Sequence, residues 1–180
     1  MDILIRPATT LDVPALHALI ERAYRGDEAR RGWTHEADLL GGQRTDAAAL
    51  QEMLASPDHS MLVASASEAL VGSVNVMRTD AQLCKLGLLT VEPRLQTAGI
   101  GRRLIAAAEH EAATRFGARR MEMNVIRQRS ELISYYLRRG YALTGEERPF
   151  PLDNPRFGIP RTRDLAFVVL EKPLPGERPG

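Results

Sequence analysis

Apolar residues recur along this chain at two periods, and the switches between them mark out the elements. Ile3–Ala8 (ILIRPA) is a short apolar run that reads as a strand. Thr9–Tyr24 then sets Leu16, Leu19, Ile20 and Tyr24 at helical spacing, with Thr9 or Thr10 as the cap. From Arg25 to Arg44 the period disappears, and glycine and charge surround Trp33, which predicts a loop with a short helical turn in it. A structureless loop of more than about 12–15 residues is uncommon unless it has a function. Thr45–Ser56 (TDAAALQEMLAS) returns to helix, capped by Thr45 or Asp46 and stopped ahead of Pro57. Ser60–Ser67 and Ala69–Thr79 read as a hairpin turning near Glu68, and Ala81–Val91 as a third apolar strand, giving an antiparallel meander.

Beyond the meander, Ile100, Leu104, Ala108, Ala112 and Phe116 repeat every four residues, so an amphipathic helix is expected to pack on the sheet and end at Gly117. Arg119–Ile126 is a strand, Ser130–Gly140 a helix capped by Ser130 and ended by Gly140, and Tyr141–Glu146 and Leu165–Lys172 are the last strands. Between those two lies a Pro-rich loop, Arg148–Arg163. A helix that returns to a neighbouring strand makes the strands before and after it parallel. The fold class is α/β or α+β: a mixed, mostly antiparallel central sheet flanked by helices, with no internal repeat and a single domain over 1–180.

Composition narrows the function without naming it. The chain of 180 residues is 44% apolar and 26% charged, and its net charge of +1 gives no reason to expect nucleic acid or an anionic membrane as partner. Cys84 is alone and lies in an apolar run, where it reads as a small buried hydrophobe. His17, His35, His59 and His110 lack ligand spacing, so no metal is expected. No signal-peptide pattern and no membrane-length apolar run is visible, and a cytoplasmic protein is expected.

Chemistry enters at Gln96–Leu104, QTAGIGRRL. A glycine inside a helix costs about 1 kcal/mol relative to alanine, so Gly99 and Gly101 at a helix start call for a reason. The order strand, short loop, glycine helix start aims unpaired backbone N–H groups at an anion, and phosphate is the natural guest. A dinucleotide fingerprint would need a third glycine at Leu104, and a P-loop would need Gly-Lys-Ser/Thr at Gly101-Arg102-Arg103, so both fail. Taken alone, the turn leaves a structural and an anion-binding role equally open.

The neighbours of the turn decide between them. VEPRLQTAGIGRRLI followed by SYYLRRGY resembles the GNAT superfamily of acyl-CoA-dependent N-acetyltransferases. Gln96 to Gly101 fits its Gln/Arg-x-x-Gly-x-Gly/Ala motif, and Tyr136 stands four residues before Gly140 in a Tyr-x-x-x-Gly-aromatic ending. The resemblance implies a splay between the fourth and fifth strands and acetyl-CoA as donor. It implies that the backbone of Gln96, Thr97, Ala98, Gly99, Ile100, Gly101 and Arg102 binds the pyrophosphate, and that main-chain groups of Leu89, Thr90 and Val91 pair with the pantetheine arm. Arg129 replaces an asparagine common in relatives and is assigned to the cofactor, toward a phosphate.

The resemblance also implies direct attack of a primary amine, on a small molecule or a peptide, with no covalent enzyme intermediate. No Ser-His-Asp or Cys-His set can be assembled from the sequence. Tyr136 is the expected general acid, since a phenol near pKa 10 and a thiol near about 8.5 are close enough to exchange a proton. A general base is expected because an amine of pKa about 10.4 is almost wholly protonated at pH 7. Where some relatives carry a glutamate on the fourth strand, this chain has Lys85, which leaves Glu36 and Glu122 as candidates. Trp33 and Glu36 lie in the variable segment that commonly walls the acceptor site in this superfamily, where an aromatic and an acid suit a cationic amine. The competing reading is a noncatalytic acyl-CoA-binding sensor. A homodimer is expected by family habit.

Overall fold

The computed structural model describes residues 2–24, 40–41, 45–96, 98–150, 159–160 and 164–175. Its strands are β1 (Leu4–Pro7), β2 (His59–Ala66), β3 (Ala69–Arg78), β4 (Leu83–Val91), β5 (Arg120–Ile126), β6 (Ala142–Pro149) and β7 (Ala166–Pro173). The helices are α1 (Val13–Tyr24), α2 (Ala47–Ala55), α3 (Ile100–Arg115) and α4 (Ser130–Arg138). The seven strands form one sheet in the order β1-β2-β3-β4-β5-β7-β6. Its one parallel pair is β4 with β5, as the crossover through α3 requires.

Alternation along the strands sorts side chains to two covered faces. Leu62, Val74, Val76, Leu86, Met121 and Met123 point toward α3 and α4, where they meet Ile100, Leu104, Ala108 and Tyr136. Met61, Val63 and Leu88 point the other way, against Val13, Leu16, Ile20 and Leu50 of α1 and α2. Helix α3 lies close to the strands because β3 carries Gly72 beneath it. A Cβ there would come within 2.8 Å of Leu104 Cδ1 and 3.0 Å of the Thr90 carbonyl oxygen. Cys84 is fully buried and its thiol is pushed up to about 11, which fits an inert core residue.

Several boundaries differ from the sequence reading, each for a local reason. Of the two proposed caps on α2, Asp46 is the one whose side chain accepts from Ala49 N, at 2.7 Å. β4 begins at Leu83 and not Ala81, because the Asp80 carboxylate takes the N–H groups of Gln82 and Leu83 at 2.8 and 3.0 Å in a turn. Ser130 does not cap α4: Arg129 holds the cap position, and Ser130 is the first helical residue. β6 runs on to Pro149, into the predicted Pro-rich loop, since an edge strand tolerates a missing N–H. Leu40–Gly41 and Ile159–Pro160, both inside predicted loops, pair with each other. Gly117 and Gly140 follow their helices with φ of 64° and 98°, as helix-ending glycines do. Among the described residues no helix is long and apolar enough to cross a membrane, and no group of His, Cys, Asp or Glu is placed to hold a metal ion.

Candidate active site

The site begins where the sheet comes apart. β4 and β5 pair only at Leu83 with Arg120, Cys84 with Met121 and Lys85 with Glu122, and beyond that rung they diverge. On its other edge β4 bulges against β3: Gly87 faces Asn75 and Thr90 faces Ser73, so Leu88 and Leu89 together oppose Val74. Leu88 takes a φ of 48°, a left-handed conformation that a leucine adopts only when its surroundings impose it. Buried hydroxyls impose it here, because Ser73 Oγ and Thr90 Oγ1 both donate to the Leu88 carbonyl, at 3.3 and 3.0 Å. The bulge and the parted strands open a wedge in the middle of the sheet.

At one end of the wedge stands the start of α3. Gly99 has a φ of 81°, and the first helical bond runs from Arg103 N to Gly99 O at 3.3 Å, so the N–H groups of Ile100, Gly101 and Arg102 precede the ladder. Gly101 faces a cleft of about 540 Å³ with Leu89, Thr90, Val91, Gln96 and Arg129. A Cβ at Gly101 would lie 3.2 Å from Tyr135 Oη and 3.6 Å from Val91 Cγ2. Ile100 sends its side chain into the core and Arg102 is exposed, so what these two present to the mouth is main chain and charge. Ala98 and Gly99 are exposed, and Thr97 lies outside the described residues.

The cleft shares Tyr24, Leu89, Arg129, Leu132 and Tyr136 with a second cavity of about 490 Å³ that lies between the parted strands. Tyr136 is therefore at the junction of the two, buried, with its ring edge-on to Tyr135 and Tyr141 at 5.6 and 6.1 Å. Burial pushes its hydroxyl well above the ordinary tyrosine range; Tyr24 acts in the same direction and Arg129 against it. Arg129 is buried too, with its guanidinium 5.9 Å from the centre of the Tyr24 ring. Tyr24 Oη donates to the carbonyl of Leu89 at the bulge, and Gln96 Nε2 donates to the carbonyl of Val91 at 3.4 Å. Each carbonyl keeps a second lone pair for a ligand.

On the α1 side of the sheet the expected acid is present but engaged. Glu122 is buried, and its two oxygens accept from Arg148 Nη1 and Nη2 at 2.8 and 3.3 Å. An acceptor amine would have to share it with Arg148. Lys85, across the last rung from Glu122, is half-buried, and desolvation lowers its pKa against the pull of Glu122. Trp33 and Glu36 lie outside the described residues. Sequence reasoning missed Tyr24, which read as one more apolar position of α1, and Arg148, which fell in a predicted loop. The signal available for Tyr24 was its place as the last residue of a helix followed by an unpatterned segment.

A mixed sheet parted at its parallel pair, with a bulged strand on one side of the gap and a glycine helix start at its mouth, is the architecture of the N-acetyltransferases. Residues 29–150 match the family described as acetyltransferase (GNAT) domain, and the chain belongs to that family. Solved structures agree on the fold. The ribosomal-protein-S18-alanine N-acetyltransferase of Escherichia coli superposes with a TM-score of 0.70 at 15% identity over 98% of each chain. The PaiA N-acetyltransferase of Thermoplasma acidophilum in complex with coenzyme A gives 0.67 at 18% identity, over 96% of this chain and 99% of its own. Ard1 of Thermoplasma volcanium gives 0.72 at 13% identity over 97% and 99%. No curated protein matched the sequence.

Proposed function

We propose that this protein transfers an acetyl group from acetyl-CoA to a primary amine by direct attack. The observation that carries this reading is the continuous path from the helix start at Gly101, past Tyr136, into the gap between β4 and β5. The residues fit the cofactor. Gly101 leaves a space that any side chain would fill, and Gln96 Oε1 is buried in the same cleft with no partner among the described residues. The N–H groups of Ile100, Gly101 and Arg102 would hold the pyrophosphate, and the main chain of Leu89 to Val91 the pantetheine arm. Acetyl-CoA supplies, when bound, an activated acyl carbon and a thiol leaving group.

Tyr136 holds its proton at Oη throughout the neutral pH range, which is the state a general acid needs. Burial makes it a weaker acid than a free phenol, and the same burial disfavours a thiolate next to it, so both pKa values move in the same direction. Arg129, buried beside Tyr24 and acting on Tyr136, offsets part of the cost of negative charge there. Replacing Tyr136 by Phe removes the proton and keeps the ring. The expected result is a fall in kcat of about 100-fold or more, the usual scale for general acid catalysis, with coenzyme A affinity little changed. An unaltered kcat would remove Tyr136 from this role.

A further inference from the structure

We propose that the acceptor amine carries an anionic group, a carboxylate, and that Lys85 receives it at a hollow over Gly87. This inference rests on the acyl-transfer reading of the cleft and adds the chemical class of the acceptor. Gly87 sits inside a strand with no atom of the described residues within 4 Å of where its Cβ would lie. Its φ is not left-handed, so neither backbone geometry nor close packing accounts for the glycine. What the missing side chain leaves is space.

Polar residues flank that position on the α1 face of the sheet. Asn75 of β3 stands directly across from Gly87, Asn124 of β5 lies across the gap, and Lys85 precedes Gly87 by two residues on the same face. Asn75 is only 5% exposed; its Nδ2 is 2.9 Å from His59 Nδ1, while its Oδ1 is buried without a partner among the described residues. A buried acceptor left unpaired costs stability.

The acids on this face are bonded to Arg148, and Lys85 feels Glu122 only at longer range. Arg148 is shared between Glu122 and Glu146, with Nη1 and Nη2 on Glu122 at 2.8 and 3.3 Å and Nε on Glu146 at 3.1 Å. Each oxygen of Glu122 thus accepts one bond from Arg148. Lys85, half-buried, makes no hydrogen bond or ion pair among the described residues. A half-buried ammonium that makes no direct hydrogen bond gains one from an arriving carboxylate. The cavity that contains Gly87 and Asn124 also contains Tyr136. An acceptor lying along β4 thus places its amine toward the bulge and Tyr136, with its carboxylate back toward Lys85.

The test compares free amino acids with the matching amino-acid carboxamides as acceptors in acetyl-CoA-dependent thiol release, for wild type, K85M and K85R. The quantity read is the acid-to-amide ratio of kcat/KM, which cancels the intrinsic difference in amine basicity when variants are compared. The expected result is a preference for the acid in wild type, a drop of that ratio by about tenfold or more in K85M, and partial recovery in K85R. A ratio unchanged in K85M overturns the proposal. So does an equal loss on acid and amide with a displaced pH profile, which would make Lys85 a proton acceptor. Transfer to amines with no wild-type preference for the acid overturns it while leaving the acyl-transfer reading intact, and transfer to no amine at all defeats both. If K85M does not fold, the wild type decides by binding: with coenzyme A present, an N-acetyl amino acid should bind more tightly than its carboxamide, and equal affinity overturns the assignment.

Discussion

Gly99 and Gly101 sit two residues apart in one motif and answer different needs. Gly99 adopts a φ of 81°, which only glycine takes without strain, and it turns the chain into α3. Gly101 has helical geometry and is there for space, since its Cβ would press on Tyr135 Oη at 3.2 Å and close the cleft. Gly101→Glu therefore sets a carboxylate where the pyrophosphate should lie. Like charges so placed cost several kcal/mol, so coenzyme A affinity should fall by about 100-fold or more in isothermal titration. An unchanged affinity, with melting showing the protein folded, would remove the helix start from the site. The sequence shows two glycines at a helix start and excludes two nucleotide motifs by spacing. It does not distinguish a glycine kept for its φ from one kept for its missing side chain, because that depends on Tyr135, which arrives from an element over 30 residues downstream.

The elements meet through a few close approaches, and Gly72 is the tightest of the glycine contacts. It lets α3 lie against β3 and so brings the helix start to the parted edge of β4. Gly72→Ala places a methyl group 2.8 Å from Leu104 Cδ1 and 3.0 Å from a backbone oxygen that cannot move aside cheaply. Overpacking of this kind typically costs about 1–3 kcal/mol, to be read from urea unfolding; a variant as stable as wild type would contradict the packing described. Long periodic elements were legible because periodicity reports burial directly: α1, α2, α3 and the strands of the meander stand where the apolar residues put them. The pair Leu40–Gly41 with Ile159–Pro160 was not, since two residues carry no period and their partners are over 100 residues apart. Nor was the bulge at Leu88, whose cause is a pair of hydroxyls, Ser73 and Thr90, on neighbouring strands.

At the scale of the molecule, the proposed reaction needs two ligands to meet, and a sheet divided at its one parallel pair offers a gap open to both of its faces. The α3 end presents main-chain donors, the α1 face presents Lys85, Asn75 and the engaged pair Glu122–Arg148, and Tyr136 stands where the two cavities meet. The proposed donor side could be read from the chain because its chemistry is carried by backbone and glycine in one continuous motif. The proposed acceptor side was legible only at Glu122, because its residues come from β3, β4, β5 and β6 and become neighbours only through the register of the sheet. The central claim is that this gap performs acyl transfer and does not merely hold an acyl-CoA. The most direct measurement is thiol release from acetyl-CoA by the purified protein across a panel of amines, amino acids included. Release that depends on the acceptor, with the acetylated amine appearing in equal amount, is the predicted result; acetyl-CoA binding without acceptor-dependent release from any amine would contradict it.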